Sequence, residues 1–195
     1  QALAKITKVC PQFHLSMQSG SDSVLARMNR KYTRRGYLER VDALRRAIPH
    51  IGLTTDLIVA FPGESEAEFA ETLSLVRQVR YDSAFTFIFS PRSGTAAARL
   101  PGRVDPATAK ERITRLIALQ EGITGEVHQS LVGQEALVLA EGPSRRSPDE
   151  LTGKTGRNIS CNFKGSIDQV GQILPVTITG QGKTTLKARQ HERNA

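Results

Sequence analysis

The sequence has 195 residues, enough for one ordinary domain or for a modest and a small domain together. Its 27 Lys and Arg residues against 19 Asp and Glu residues give a net charge of +8 at pH 7, which favours polyanionic partners, nucleic acid first. Cys10 and Cys161 are the only cysteines and neither has a second thiol near it in sequence, so we expect no disulfide framework and no CxxC metal site. No apolar run of about 18 residues predicts a membrane span. We therefore expect a cytoplasmic protein with no membrane partner.

Residues 12–128 alternate short apolar runs with helical periodicity, the pattern of consecutive βα units. The first predicted strand, FHLSMQ at residues 13–18, precedes a short helix that Ser21 or Asp22 would cap. A second helix follows, with Thr33 as its expected N-cap.

Two further βα units are predicted in the same region. TTDLIVAF at residues 54–61 is the second strand, and Ser65 with Glu68 has the spacing of a capping box that opens the next helix. SAFTFIFS at residues 83–90 is the third strand, and we expect both of its faces to be buried. Asp105 is the expected N-cap of a long helix.

After about residue 130 the sequence changes to short β-type runs separated by Gly, Pro, Ser and Asp turns. We expect an α/β region over residues 1–128 and a small five-stranded, OB-like all-β barrel over residues 129–195. Residues 143–193 hold nine Lys or Arg against four Asp or Glu, so the β domain is the basic one.

Three parallel βα units neither close a sheet nor cover its edges. We therefore expect the α/β region to be the later part of a longer polypeptide, whose earlier strands complete an open or closed α/β barrel. Chemistry in such folds gathers at the C-terminal ends of the strands, here QSGSD (18–22), AFPGE (60–64) and SPRSGT (90–95). These three loops should lie side by side.

Asp56 is an acid inside an otherwise apolar predicted strand. A period of two places it on one face with Thr54, Ile58 and Ala60, and an ionised carboxylate facing the helices would be very costly. We expect Asp56 to point into the barrel, towards a ligand or a basic partner. The alternative is a structural acid that pairs with an interior Arg or Thr.

Four long motifs in this order are familiar: HLSMQSGSDSVLARMNRKYTRRGYLERV (14–41), LTTDLIVAFPGESEAEFAETL (53–73), SAFTFIFSPRSGTAAA (83–98) and EGPSRRSPDELTGKTGRNISCNF (141–163). Together they resemble the methylthiotransferases of the radical S-adenosylmethionine (SAM) class, most closely the MiaB type that acts on tRNA. Modifiers of ribosomal protein S12 usually carry QH, and threonylcarbamoyl-adenosine enzymes often carry QSGC, where this chain has QSGS.

The resemblance implies that this chain is the C-terminal part of a radical SAM TIM-like barrel, with three βα units, followed by a TRAM domain that binds RNA. The full-length family has two 4Fe–4S clusters, but the CxxxCxxC triad is absent here and neither cysteine matches a ligand position. We therefore expect no metal ligand and no catalytic residue in this chain, which by itself would be inactive.

The implied reaction places a methylthio group on C2 of N6-isopentenyladenosine at tRNA position 37 and consumes two molecules of S-adenosylmethionine. The cofactors carry out that chemistry, while the protein supplies binding and orientation. The implied partner is the anticodon stem-loop of tRNA, and we expect a monomer in the full-length form. Two alternatives remain: a stand-alone RNA-binding module, and a related enzyme acting on threonylcarbamoyl-adenosine tRNA or on ribosomal protein S12.

By resemblance, the residues expected at the cofactor lie at the first two strand ends, within the second strand and after the first short helix: Gln18, Ser19, Gly20, Ser21, Arg30, Asp56, Phe61 and Glu64. For Ser21 the alternative role of helix cap is favoured over the cofactor pocket, and the alternative for Glu64 is an acid that favours the following helix N-terminus. The chain departs from the family pattern at two positions. Relatives are expected to have Gly where this chain has Ala60, and Pro is common where it has Ser16.

The residues expected at RNA are mostly cations of the β domain, which would contact phosphates: Arg92, Arg145, Arg146, Lys154, Arg157, Asn158, Phe163, Lys164 and Lys183. Asn158 and Phe163 would supply base-edge or stacking contacts. The alternative for the set is a basic surface that serves only solubility, and for Arg92 a structural ion pair.

Overall fold

The structure is a computed structural model that describes residue 6, residues 8–145, residue 147 and residues 149–191. The chain forms two compact units. One is Phe13–Ile123, called the α/β unit below. The other comprises the chain from Thr124 onward together with the described residues up to Gln12, and it contains the barrel.

The α/β unit is built from strands and helices that alternate along the chain. A short 3-10 helix, Ala97–Arg99, precedes the last of them. β1 begins one residue before the unit and α4 ends beyond it. The elements are β1 (Gln12–His14), α1 (Asp22–Arg27), α2 (Arg34–Ala47), β2 (Gly52–Val59), α3 (Glu66–Val79), β3 (Ser83–Ile88) and α4 (Pro106–Ser130).

The three strands form one sheet in the order β1–β2–β3, and β2 runs parallel to β3 with Thr54 opposite Ser83. The first strand is shorter than predicted. Its pairing continues only through single hydrogen bonds and an isolated parallel bridge between Gln18 and Leu57. At Gln18, where φ is +70°, the backbone leaves the extended conformation.

The two faces of the sheet have different environments. Alternate residues of β2, including Leu53 and Leu57, are fully buried, while Asp56 and Ile58 on the other face are only partly buried. Phe85 and Phe87 are the β3 partners of these two residues and are 59% and 50% exposed. The expectation that both faces of the third strand are buried is therefore wrong, because β3 is an edge strand with one open face.

The helix starts follow the sequence signals. Thr33 accepts a hydrogen bond from the Gly36 N–H, and the Ser65–Glu68 capping box is complete in both directions. Asp105 Oδ1 accepts from the second and third N–H groups of α4. The predicted caps at Thr33, Ser65 and Asp105 are confirmed. Ser21 occupies the N-cap position of α1, but its side chain makes no capping hydrogen bond.

The barrel consists of five strands: β4 (Glu135–Pro143), β5 (Glu150–Thr155), β6 (Ser160–Lys164), β7 (Ile173–Gln181) and β8 (Thr185–Gln190). They close in the order β4–β5–β6–β8–β7, and every pair is antiparallel except β6–β8. The predicted small five-stranded barrel is thus confirmed. Its core is apolar, with Phe163, Cys161 and Leu186 at the centre of the buried set.

Among the residues that the structure describes, no helix is both long and apolar enough to cross a membrane.

Candidate cofactor cleft and nucleic-acid surface

A cleft of about 520 Å³ opens on the α/β unit where the three strands end. Gln18 lines it after β1, Phe61 after β2, and Ser90 and Arg92 after β3. Asp56 and Arg30 also line it, together with apolar side chains that include Ile58 and Phe87. The loops that the sequence predicted to be neighbours therefore meet at one cavity.

Asp56 reaches this cleft from the middle of β2, with 30% of its side chain exposed. Ser16 Oγ donates to Asp56 Oδ2 at 2.6 Å, and His14 Nε2 lies 3.0 Å from the same oxygen. The other ring nitrogen of His14 lies 2.9 Å from Thr54 Oγ1. The basic partner of Asp56 is thus His14, whereas the predicted alternative was an Arg or a Thr.

The pKa of Asp56 is lowered from its ordinary value. Burial acts to raise it, but hydrogen bonds from Ser16 and His14, together with the charge of His14, outweigh that effect. Asp56 therefore stays ionised at neutral pH. Both of its hydrogen bonds fall on Oδ2, and no described residue donates to Oδ1, so a carboxylate oxygen remains for a ligand donor in the cleft.

Three arginines surround the same cavity, and one of them was not predicted. Arg27 forms a bidentate pair with Glu68, with both N···O distances at 3.0 Å, and donates to the Gly63 carbonyl. Arg30 and Arg92 are exposed and form no ion pair with the described residues. No sequence pattern marks Arg27, because a basic residue in the last turn of a helix is common.

Aromatic rings supply the apolar part of the cleft. Phe61 is almost fully buried and packs edge-on against Phe89, with ring centroids 4.9 Å apart. Phe61, Phe87 and Phe89 line the cavity, and Phe87 is the most exposed of the three rings. Rings held in this way offer a flat apolar surface to a planar base.

Ser19, Gly20 and Ser21 lie next to α3 and do not line the cleft. The Ser19 hydroxyl is 3.3 Å from Thr72 Oγ1, and the Gly20 N–H donates to the same oxygen. A Cβ added to Gly20 would lie 2.5 Å from Thr72 Cα. Gly20 is thus required by the close packing of the loop on α3. Ser19, Gly20 and Ser21 were expected to contact the cofactor, but they do not line this cleft.

Glu64 also differs from the expectation, because its side chain is fully buried and does not line the cleft. Its Oε2 accepts from the Ala60 N–H at 2.7 Å and from Arg112 Nη1 at 3.0 Å. Burial raises the pKa of Glu64, while the Ala60 N–H and Arg112 oppose that rise. Glu64 therefore holds the loop after β2 against α4.

Ala60 has a φ of +59°, in the left-handed region that glycine adopts without strain. This explains physically why a glycine is expected at this position in the resembling enzymes. Ser16, the other departure, makes a hydrogen bond to Asp56 that a proline could not make.

The barrel residues that were expected to contact RNA differ in their exposure to solvent. Arg145, Asn158, Lys164 and Lys183 are exposed, and Arg157 is partly buried. Lys154 is partly buried and donates to Ser160 Oγ at 2.9 Å. Arg146 lies outside the described residues.

Phe163 corrects the stacking expectation. Its side chain is 1% exposed and belongs to the barrel core, because it faces inward from β6 between the outward residues Asn162 and Lys164. It cannot stack on a base in this structure. Two outward cations of β8, Lys187 and Arg189, were missed, although the alternation in TLKARQ could have identified them.

Within the described part of the chain, no group of three or more His, Cys, Asp and Glu side chains could hold a metal ion.

Two segments of the chain match known protein families. Residues 1–76 match the Radical SAM superfamily, and residues 129–189 match the TRAM domain.

Several relatives carry the name tRNA-2-methylthio-N(6)-dimethylallyladenosine synthase. The protein of that name from Moorella thermoacetica is 50% identical over 177 residues, which are 91% of this chain and 40% of that protein. The one from Symbiobacterium thermophilum is 46% identical over 187 residues, 96% of this chain and 40% of that protein. The protein of that name from Geobacter metallireducens is 49% identical over 176 residues, which are 90% of this chain and 40% of that protein.

The chain thus spans about 40% of the length of these relatives. The Radical SAM match extends from β1 into α3 and includes Gln18, Asp56 and Phe61 of the cleft, but not the cleft residues that follow β3. The TRAM match covers the barrel up to residue 189. The chain thus carries a segment similar to the Radical SAM superfamily over residues 1–76 and one similar to the TRAM domain over residues 129–189.

Proposed function

We propose that this chain is part of an enzyme that places a methylthio group on C2 of N6-isopentenyladenosine at position 37 of tRNA. The observation that carries the proposal is the cleft in which three strand ends meet around Asp56, in a chain whose relatives bear the name of such a synthase. On this proposal the chain contributes part of the cofactor pocket and the RNA-binding domain of the whole enzyme.

The chemistry of the cleft fits S-adenosylmethionine. The ligand carries a planar base, ribose hydroxyls, an ammonium group and a carboxylate. Phe61 and Phe87 offer surface for the base, and Oδ1 of Asp56 can accept from a hydroxyl or the ammonium. Arg30 can bind the carboxylate.

When bound, S-adenosylmethionine supplies the methyl group and the radical that this reaction needs. The residues of this chain have the complementary tasks of binding, orienting and excluding water. Gln18, Arg30, Asp56 and Phe61 are the proposed contacts from the expected set, with Arg27 added. Ser19, Gly20, Ser21 and Glu64 would act indirectly by holding the loops.

The sheet β1–β2–β3 would be part of a TIM-like barrel with three βα units, completed elsewhere in the whole protein. The resemblance also implies two 4Fe–4S clusters there, and the described residues offer no ligand group for them. The proposed partner is the anticodon stem-loop of tRNA, the proposed domain boundary lies near residue 128, and the whole protein would be a cytoplasmic monomer.

The test uses the whole protein that contains this chain, purified with its clusters. It is incubated with S-adenosylmethionine, a reductant and inorganic sulfide as a sulfur source on isopentenylated tRNA, threonylcarbamoylated tRNA and ribosomal protein S12. Mass spectrometry should find a methylthio group only on the isopentenylated adenosine. Modification of either other substrate, or of none of the three, would overturn the proposal. Asp56→Asn should reduce S-adenosylmethionine binding while tRNA binding is unchanged.

A further inference from the structure

We propose that the outward face of β5, β6 and β8 binds the sugar–phosphate backbone of an RNA helix, and that the barrel does not bind unstacked bases. This inference rests on the proposed function for its RNA partner. It adds the surface that is used, the residues at its centre and the form of RNA that is recognised.

Charge is divided between the strands of the barrel. β5, β6 and β8 carry four cations, Lys154, Lys164, Lys187 and Arg189, against the single acid Glu150. β4 and β7 carry no cation, and β4 carries the acids Glu135 and Glu141. One side of the barrel is therefore positive, which is the electrostatic requirement for a phosphate surface.

The pairing of the strands brings these cations together. Lys187 lies opposite Asn162 and Lys154 opposite Ser160. Lys164 and Arg189 directly follow the pair formed by Phe163 and Ala188 in the parallel ladder. Neighbouring strands lie about 4.8 Å apart and alternate residues about 7 Å apart, so the cations form one continuous patch.

The central cations of this patch are available. Lys164, Lys187 and Arg189 are exposed and form no hydrogen bond or ion pair through their side chains with the described residues. The side chains between them are polar and uncharged, including Asn162 and Ser160. Amide and hydroxyl groups contact phosphates and ribose hydroxyls without selecting a base.

The form of RNA follows from the aromatic residues. Phe163 is the only Phe, Tyr or Trp after residue 89, and its ring is in the barrel core. Proteins that hold single strands on such barrels stack the bases on exposed aromatic rings. Without such a ring, this face has no stacking platform for a base, and its cations favour contacts with the RNA backbone. A helix presents that backbone in a regular array with its bases already stacked.

The opposite side of the barrel has a different chemistry. Leu137, Leu139 and Ile173 are exposed on β4 and β7, at 61%, 41% and 65%. An apolar surface beside two acids has no attraction for phosphates. The RNA face is thus limited to one side of the barrel.

The test measures binding of this chain to three fluorescent RNAs with equal numbers of phosphates: a blunt duplex, a hairpin and an unstructured single strand. The duplex and hairpin should bind with affinities within about threefold of each other, and the single strand at least about tenfold more weakly. The affinity for the duplex should fall with salt, because each phosphate contact contributes about 0.9 to the slope of log K against log salt.

The double variant Lys187→Gln/Arg189→Gln should lower the duplex affinity by roughly 10- to 100-fold near 0.1 M salt and reduce the slope by about 2. The matched control is Arg77→Gln/Lys110→Gln, which removes the same charge from exposed helix positions of the α/β unit. Circular dichroism melting should show both variants folded.

The outcomes separate the two proposals. If none of the RNAs binds, the proposed RNA partner and this surface both fail. If the single strand binds more tightly than the duplex, or if the β8 variant behaves like its control, the surface assignment fails while the proposed function stands.

Discussion

The α/β unit and the barrel manage their strand edges in opposite ways. In the barrel every strand has two neighbours, so the ring of five leaves no edge. In the α/β unit only β2 has two neighbours, and Phe85 and Phe87 of the edge strand β3 are half exposed. The barrel is therefore closed on itself, while the sheet has an edge and a face left to be covered, in a chain that spans about 40% of its relatives.

The two units also differ in what they bury. The described core of the barrel is apolar and contains no ion pair, whereas the α/β unit buries Glu64 against Arg112 and places Asp56 with His14 on its open face. Changes in the barrel should therefore act through packing, and changes in the α/β unit through charge. Substitutions in the two units should therefore differ in the size and the pH dependence of their effects on stability.

The largest effect is expected for Phe163→Ala. Removing a fully buried aromatic ring costs about 3–5 kcal/mol, which is comparable to the whole stability of a domain of this size. Hydrogen exchange should show fast exchange throughout β4–β8 and unchanged protection in β2 and α3. Phe85→Ala at an exposed position is the control and should leave the protection of the barrel intact. Equal loss of protection in both units would show that they do not fold separately.

Arg112→Met should destabilise the α/β unit by about 3–5 kcal/mol, because it leaves the Glu64 carboxylate buried without its partner. Burial already raises the pKa of Glu64, and losing the guanidinium would raise it further. Denaturant unfolding at neutral pH measures the decrease in the free energy of unfolding. Arg77→Met, at an exposed position of α3, should cost less than about 0.5 kcal/mol.

A second change tests the cause of that loss. Adding Glu64→Gln to Arg112→Met removes the buried charge and should recover much of the stability at neutral pH. If the double variant is as unstable as the single one, lost packing of Arg112 on Phe69 is the cause and the charge argument fails.

A smaller, pH-dependent effect is expected at Glu68. Burial acts to raise its pKa, but hydrogen bonds from Arg27, Ser23 and Ser65 outweigh it and lower the pKa to about 2. Because the folded pKa lies below the ordinary value of 4.5, the stabilisation is present above that pH and is lost as the pH falls towards about 2. Urea unfolding between these limits should show the α/β unit weakening, and Glu68→Gln should remove that part of the pH dependence. If Glu68→Gln kept the same dependence of stability on pH as the wild type, Glu68 would not be its source.

The smallest effect is expected for Ala60→Gly. Ala60 has a φ of +59°, and relief of that strain outweighs the added freedom of the unfolded chain, with a net gain below about 1 kcal/mol. Ala43→Gly in the exposed middle of α2 should have the opposite sign and cost about 1 kcal/mol. Thermal unfolding of the two variants gives the comparison, and a loss of stability at position 60 would disprove the strain argument.

Much of the fold could be predicted because its signals are local. The caps at Thr33, Ser65 and Asp105 depend on residues two or three positions away. The meeting of three loops at one cleft was predictable too, since parallel strands bring their C-terminal ends to one edge. Gln18, Asp56 and Phe61 lie there as expected. The sequence could not show that β3 is left half exposed, because that depends on which strands are present beside it.

Local sequence patterns are enough to predict the order of helices and strands, the caps at Thr33, Ser65 and Asp105, the change from α/β to all-β and the basic character of the barrel. Long-range packing is needed to show that Asp56 pairs with His14, 42 positions away, and that Glu64 pairs with Arg112, 48 positions away. It is also needed to show that Phe163 faces inward while Lys187 faces outward. Patterns of period 2 and 3.6 tell which residues share a face, but the environment of that face is set by strand register and by the packing of distant segments.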